Sequence, residues 1–554
     1  MSNLFRPILQ PVLRPLTVAI LDWIDASFNL FADIINDAGE LAPYVTFTRS
    51  STATRYNSAG LLETVAVNAP RYDYDPTTVT RVNLLRYSQE FDNAVWGKAT
   101  ASITANTIAA PDGTMTADTL TATSATGYIA QIVGTADTFT LSVWIKRKTG
   151  TGNVSLVIRP GFQESVVAVT NDWVRYTYTA ASTYSNVGVR LATSGDEVYI
   201  WGAQLETGST ATAYIPTGAS PAGNATLRGL LIEEQRTNLL VHSDQFDNAS
   251  WTKNTVGLAS APIVTANAAV APDGTTSADK VVFVAPASGD FSELSQMATV
   301  SAGTYAGSFY VKADSAGDIG KIIAFRHVSG GAYLLVTLSS TWQRIQRAET
   351  QVANTFEIAL RPAVGTSSGT VSVQLWGAQL EAGAFATSYI PTTTAAVTRA
   401  ADTASVTNLA NIGYNALEGA VYSESTCFGT ETGKYLPVFR FGTSTDRIDA
   451  FYAELTGVGH ATRVGGVSQA QATVPHGGAS NRFRGSRAYK QSDSALAYNG
   501  NAAASMTGGT GLLPSVSALY IGATEASLRL NGHIRRLRYY ARRLSNAELQ
   551  ALTS

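Results

Sequence analysis

WGAQLETGSTATAYIPT, Trp201 to Thr217, returns as WGAQLEAGAFATSYIPT, Trp376 to Thr392, 175 positions further on. A phrase of this length spelled twice in one chain marks a duplicated unit, and the matches extend upstream of it. NLLRYSQEFDNAVWGK at Asn83 answers NLLVHSDQFDNASWTK at Asn238, and APDGTMTADTL at Ala110 answers APDGTTSADKV at Ala271. FTLSVWIK at Phe139 answers YAGSFYVK at Tyr305, and Trp173 answers Trp342. The offsets grow from 155 through 161, 166 and 169 to 175, as loop insertions between strands of constant length would make them. Two homologous modules result, 81–217 and 236–393.

Within a module the hydrophobic period is two. Phe139, Leu141, Val143 and Ile145 alternate with Thr140, Ser142, Trp144 and Lys146. Tyr305, Gly307, Phe309 and Val311 alternate with Ala306, Ser308, Tyr310 and Lys312. Such alternation marks strands with one buried face. Short runs of it, punctuated by Pro-Asp-Gly turns, predict a jelly-roll β-sandwich for each module. The repeated phrase reads as a closing strand and an exit loop, with the Tyr-Ile-Pro proline ending strand pairing.

Composition narrows the function. With 39 Lys+Arg against 41 Asp+Glu among 554 residues, no basic field points to nucleic acid. A single cysteine, Cys427, excludes an intramolecular disulfide framework and a cysteine-cluster zinc site, and it suits assembly in a reducing cytoplasm. The five histidines form no HExxH and no i,i+4 pair. No run of about 18 apolar residues suggests a membrane span.

The N-terminus is apolar but interrupted by Pro7, Pro11 and Pro15, which exclude a regular helix there. From Leu16 to Ile35 the pattern fits an amphipathic helix with Ile20, Trp23, Ile24, Phe31 and Ile35 on one face. Residues 1–40 are expected to dock the chain to a partner protein, a membrane-surface or targeting helix being the alternative, and 41–80 and 218–235 read as linkers. The last third, 394–554, does not repeat the module. Its strands include YLPVFRFG at 435 and RIDAFYAEL at 447; Asn531-Gly532 signals a tight turn, and Ser545 with Glu548 a capping box opening a terminal helix.

The pattern NLL-x-x-S-x-x-F-D-N-x-x-W, then APDGT, then WGAQLE-x-G-x-x-A-T-x-YIPT, resembles carbohydrate-binding-module-like domains of bacteriophage and prophage tail proteins. FTRSSTATRYNSAGLLETVAVNAPRYDYDP (47–76) and RGLLIEEQRTNLL (228–240) resemble the lead-in of the same proteins, here parted by the first module. LNGHIRRLRYY-x-RRLSNAELQALT resembles the end of concanavalin A-like (laminin-G-like) lectin domains. The resemblance implies a virion appendage, tail fibre or spike, that attaches through its N-terminus to other virion proteins, meets host surface polysaccharide and is a homo-oligomer, a trimer as in fibre-like phage proteins. No heptad in the sequence enforces that state.

The expected fold is therefore all-β: two tandem jelly-roll modules and a C-terminal concanavalin A-like β-sandwich, with a short N-terminal helical docking segment. Saccharides stack on exposed rings with polar groups fixing their hydroxyls. Trp144 and Tyr310, beside Lys146 and Lys312, occupy the face opposite the core in both copies and are the candidate platform, padding of the sheet being the alternative. Arg484, Arg487 and Tyr489, with Arg482 and Lys490, form a basic cluster suited to anionic polysaccharide, or one solvated strand face. Arg535, Arg536, Arg538, Arg542 and Arg543 form a second basic run that could meet acidic groups of a neighbouring chain. Asp112, Asp118, Asp273 and Asp279 could supply oxygen to a structural calcium, or simply shape Asp-Gly turns. No other cofactor is expected. A retaining glycanase needs two carboxylates about 5 Å apart, and the acidic strand Asp446–Glu454 lacks the Glu-x-Asp-x-x-Glu spacing, so the chain is not expected to be an enzyme.

Overall fold

Strands form where the alternation predicts them, because each buries one row of side chains and pairs its backbone with a neighbour. A computed structural model of the chain describes residues 31–133, 137–158, 164–182, 185–219, 221–328, 330–351, 354–429, 434–453, 457–475, 482–506, 511–525 and 528–554. The chain divides into two compact units. One comprises Tyr56–Leu61 and Tyr74–Thr226; the other comprises Leu62–Asp73, Leu227–Ser554 and the described part of Met1–Arg55.

The first unit contains the first module. Five antiparallel strands, Val174–Ser182, Asp137–Thr149, Glu197–Thr207, Ala117–Ala122 and Ala101–Ile108, form one sheet in that order. The second sheet runs Glu164–Val167, Val154–Ile158, Ser185–Leu191, Gly127–Val133, Gly97–Ala99. Phe139, Leu141, Val143 and Ile145 meet Ile129, Leu156, Val187 and Val189 between the sheets, and all are buried. Each such side chain contributes about 1.5–3 kcal/mol by leaving water.

The second unit repeats this sandwich. Thr252–Val256, Phe291–Ala298, Asn354–Leu360, Ile322–Arg326 and Leu334–Thr337 form one sheet. Ser260–Ala269, Ala278–Ala285, Gly369–Ala382, Gly303–Ala313 and Gln343–Gln351 form the other. The same unit holds the C-terminal sandwich. Its seven-stranded sheet runs Thr46–Thr48, Thr403–Val406, Leu519–Ile521, Tyr435–Gly442, Arg447–Ala453, Gly457–Val464, Val467–Pro475. The facing eight-stranded sheet is centred on Glu418–Cys427 and Gly532–Tyr540. The helix Asn546–Thr553 opens on the expected capping box, Ser545 N donating to Glu548 Oε2 at 2.6 Å and Glu548 N to Ser545 Oγ at 3.3 Å.

Two expectations need correction. Residues Phe31–Ile35 are a strand, not the end of a docking helix, and pair with Gly532–Tyr540. Ile35 is fully buried in the sandwich core, and Phe31 packs on Tyr540 at 5.5 Å beneath the Arg538 guanidinium. Adjacent β-branched isoleucines favour extended backbone, and the neighbouring strand supplies the hydrogen bonds. Phe31 and Ile35 are thus committed inside the chain; Ile20, Trp23 and Ile24 lie outside the described residues. The stretches 41–80 and 218–235 are likewise not linkers throughout. Thr46–Thr48 joins the seven-stranded sheet, and Tyr72–Asp75 and Thr226–Ile232 join the eight-stranded one.

A buried ion network holds these segments together. Arg49, Arg71, Glu233 and Asp402 have no exposed side-chain surface. Arg71 Nη1 meets Glu233 Oε2 at 2.7 Å while its Nη2 meets Asp402, and Arg49 Nη1 meets Asp402 Oδ1 at 3.1 Å. Arg399 Nη2 lies 3.5 Å from Glu233 Oε2. Burial alone would raise the Glu233 carboxyl, but the Arg399 and Arg71 guanidinium groups outweigh it and hold it far below the usual carboxylate range.

Removing one partner of a buried pair costs about 3–5 kcal/mol, because the other charge stays buried uncompensated. Glu233→Gln should lower unfolding free energy by that order in denaturant melts. Since the folded Glu233 pKa is depressed, its stabilisation is complete above about pH 4.3 and is lost as pH falls below it. Stability measured from pH 6 down to pH 2 should show this loss in the parent chain and a shallower slope in the variant.

Candidate functional site

The duplicated phrase builds a small device on the outer face of each module, away from the core. Gly202 and Gly377 both adopt φ +62 where the neighbouring pairing slips by one residue. A Cβ at Gly202 would stand 3.0 Å from the Trp144 ring, and one at Gly377 3.1 Å from Tyr310. Glycine meets both the left-handed backbone and the ring's approach.

Two residues further along, Gln204 Oε1 accepts from Ile215 N at 2.7 Å, as Gln379 Oε1 does from Ile390 N at 2.6 Å. Glu206 accepts from Thr212 N at 3.0 Å and from its hydroxyl; Glu381 accepts from Thr387 N at 2.6 Å and Oγ1 at 2.7 Å. These bonds fold the exit loop back along its own strand. Tyr214 consequently lands 4.9 Å from Trp201 and 5.5 Å from Trp144. In the copy, Tyr389 lies 4.6 Å from Trp376 and 6.4 Å from Tyr310. Arg175 covers Trp144 at 4.5 Å, and Arg344 covers Tyr310 at 5.5 Å. Burial pushes the Tyr214 hydroxyl up to about 12, so it stays neutral and pairs with Ser88 Oγ at 2.6 Å.

The copies differ in exposure. Tyr310 and Tyr389 each keep 2% of their surface, so the expectation of an exposed ring at Tyr310 is corrected. The lead-in segment ties down this loop: Thr54 Oγ1 donates to Tyr389 O at 2.6 Å, and Ser388, joined to Arg71 and Glu233 at 2.7 Å each, links the loop to the ion network. In the first module Trp144 and Tyr214 are only partly buried. Trp173 and Tyr199, 6.5 Å apart and also partly exposed, widen the surface. Lys146 is partly exposed beside them, and Lys148 lies 5.7 Å above the Tyr199 ring. The second module keeps Trp342 with Lys312 5.1 Å above it but has Gln374 in place of Tyr199.

Sequence reading named Trp144 and Lys146 as candidates but did not name Tyr199, Tyr214 and Arg175, which the fold places beside them. The tyrosine shared by both copies of the phrase was the available signal for Tyr214.

The other candidates fare differently. Arg487 and Tyr489 are fully buried, which removes them as ligand contacts. Alternation places them between the sheets, where Arg487 Nη1 donates to Ala461 O at 2.8 Å and Asp449 O at 3.0 Å, and Tyr489 OH donates to Asn415 O at 2.8 Å. Arg484 remains partly exposed, donating to Ser554 O at 3.1 Å, with Glu424 4.0 Å away. In the other basic run, Arg538 is also committed internally, to Asp33 at 2.6 Å and Asp37 at 2.9 Å.

Asp112 and Asp273 cap their own Asp-Gly turns through Thr114 N and Thr275 N, each at 2.9 Å. Asp118 takes Phe91 N at 2.9 Å and Asn106 N at 2.8 Å, and Asp279 takes Phe246 N at 2.7 Å and Asn267 N at 2.9 Å. Burial raises Asp118 to about 6. Among the described residues no group of three or more His, Cys, Asp and Glu side chains is placed to hold a metal, and no helix is long and apolar enough to cross a membrane.

No family model matches the chain, and no curated protein matches it. Among solved structures, it is similar to the N-terminal CBM22-1–CBM22-2 tandem domain of Paenibacillus barcinonensis Xyn10C, at 12% identity and a TM-score of 0.23, over 55% of this chain and 98% of that one. It is also similar to Trypanosoma rangeli sialidase, at 8% identity and a TM-score of 0.22, over 93% of this chain and 99% of that one. At such scores neither likeness carries an argument about this chain's chemistry.

The unequal burial has a measurable consequence. Tyr310→Ala empties a packed site and should destabilise its unit by about 3–5 kcal/mol in denaturant unfolding. Trp144→Ala, losing a ring already partly in water, should cost less than half of that.

Proposed function

We propose that the chain is a non-catalytic, saccharide-binding appendage of a bacteriophage virion, with the outer aromatic face of the first module as its binding surface. One observation carries the binding reading: the same ring cluster occurs twice, with Tyr310 and Tyr389 buried in the second module and Trp144 and Tyr214 left partly open in the first. Trp144, Trp173, Tyr199 and Tyr214 offer apolar ring surface, and Lys146 and Lys148 stand beside them as donors. Sugar C–H faces stack on such rings while donors fix the hydroxyls.

The sealed cluster of the second module favours a structural part for that copy. In this reading the second module and the C-terminal sandwich form the scaffold. The phage setting rests on the motifs quoted above, as do attachment to other virion proteins and trimer formation. Several weak sites on one oligomer would add avidity.

The test is binding of the full chain to bacterial cells and to polysaccharide extracted from their surface. Trp144→Ala with Trp173→Ala should weaken binding at least tenfold, about 1.4 kcal/mol, with Trp342→Ala near parent level and the polysaccharide not shortened. Equal binding by parent and double variant would move the site off this face, no binding by the folded parent would leave a purely structural protein, and shortened polysaccharide would make it a glycanase.

A further inference from the structure

The seven-stranded sheet of the C-terminal sandwich carries a second, different surface on the side turned from the core. Phe439, Phe441, Ile448 and Ala450 fill the interior, so the alternating residues Arg440, Arg447, Asp449 and Arg463 share the opposite face. Arg440 stands directly across from Asp449, and Arg447 directly across from Arg463. Asp449 is fully buried and anchors two of the arginines, with Oδ2 at 3.1 Å from Arg440 Nη2 and 2.8 Å from Arg447 Nε. Arg440 also meets Glu525 at 3.2 Å.

Arg463 meets no carboxylate among the described residues. The nearby Asp446 is turned to Gly465 N and the Thr445 hydroxyl, each at 2.9 Å. Like charges placed directly across a strand pair are destabilising. Burial lowers the Arg447 guanidinium, and the charges of Arg440 and Arg463 lower it further against the pull of Asp449. Three guanidinium groups thus face two carboxylates, and the sheet holds an unmatched positive charge in fixed geometry.

Aromatic surface continues the same face. Phe451 follows Asp449 by two residues, and its ring lies where a Cβ at Gly459 would come within 2.4 Å of it. Tyr435, 53% exposed, meets Phe451 edge-on at 5.1 Å. Arg447 and Phe451 are four residues apart on one strand, a span of about 13 Å.

We propose that this face binds an acidic polysaccharide, its carboxylate or phosphate taken by Arg447 and Arg463 and an adjoining sugar ring stacked on Phe451 and Tyr435. Guanidinium forks suit both anions. One unmatched charge flanked by Asp449 and Glu525 suits a polymer carrying spaced single anions. The unbroken phosphate run of a nucleic acid would bring its charges against those carboxylates. This site is independent of the Trp144 face.

The test uses the full chain on immobilised polygalacturonate, phosphomannan, neutral dextran and a single-stranded oligonucleotide. Salt-sensitive binding to polygalacturonate or to phosphomannan is expected, and which of the two is bound identifies the anion as carboxylate or phosphate. Arg463→Met should weaken that binding at least tenfold, and the surface variant Tyr435→Ala should also weaken it. Trp342→Ala should leave it unchanged, and dextran binding should not respond to Arg463→Met. The thermal midpoint of Arg463→Met should equal or exceed the parent's, because the cross-strand repulsion is gone. Failure to bind either acidic polymer, or equal affinity in parent and Arg463→Met, would overturn the proposal. An oligonucleotide held as tightly as the polysaccharides would overturn it in favour of nucleic acid.

Discussion

The buried charges of Arg49, Arg71, Glu233, Asp402 and Arg399 constrain everything around them. Ions removed from water must find partners of fixed geometry, since an unmatched one costs several kcal/mol. Arg49 and Asp402 are 353 positions apart and Arg71 and Glu233 162 apart, so the network can close only when the lead-in, the strand before the second module and the strand after it have converged. Backbone groups share in this closure: Glu233 N donates to Asp402 Oδ2 at 2.9 Å, and Arg49 donates to Ala66 O at 2.6 Å.

That constraint also accounts for how the duplicated modules diverged. The two copies of the phrase differ at four of seventeen positions: Thr207/Ala382, Ser209/Ala384, Thr210/Phe385 and Ala213/Ser388. Two of these serve the junction of the second unit. Ser388 joins the ion network, and Phe385 packs on Arg236 at 5.3 Å and on Phe428 at 6.4 Å. The thirteen shared positions keep what each module needs for itself: the glycine under a ring, the glutamine and glutamate that hold the loop, and the tyrosine that closes the cluster. One cluster is buried at that junction, while the other stays partly open.

Much of the fold was legible because period-two alternation has few physical solutions. Phe139 to Ile145 could bury one row only as a strand, and the repeat carried that reading from one module to the next. The candidate site was half legible. Alternation placed Trp144 and Tyr310 on the outer face correctly, but it says nothing of what lies over that face. Tyr310 is buried among Trp376, Tyr389 and Arg344, and the loop that carries Tyr389 is tied by Thr54, more than 250 positions from Tyr310 in sequence. The run of basic residues with interleaved aromatics made Arg487 and Tyr489 look like surface residues of a basic cluster, although their parity with the buried Phe483 matches the core row. At Phe31–Ile35 a helical period was read into residues whose β-branched pair pairs with a strand 500 positions later.

By itself, then, the sequence determined the class of fold, the duplication and the local device of the repeated phrase, because each depends on residues a few positions apart or on exact recurrence. Tertiary structure alone decided which ring cluster stays open, which arginines are buried and which remain unmatched, and that the apparent linkers are strands. Those outcomes depend on desolvation, and whether a side chain keeps its water is set by segments that the linear order places far away.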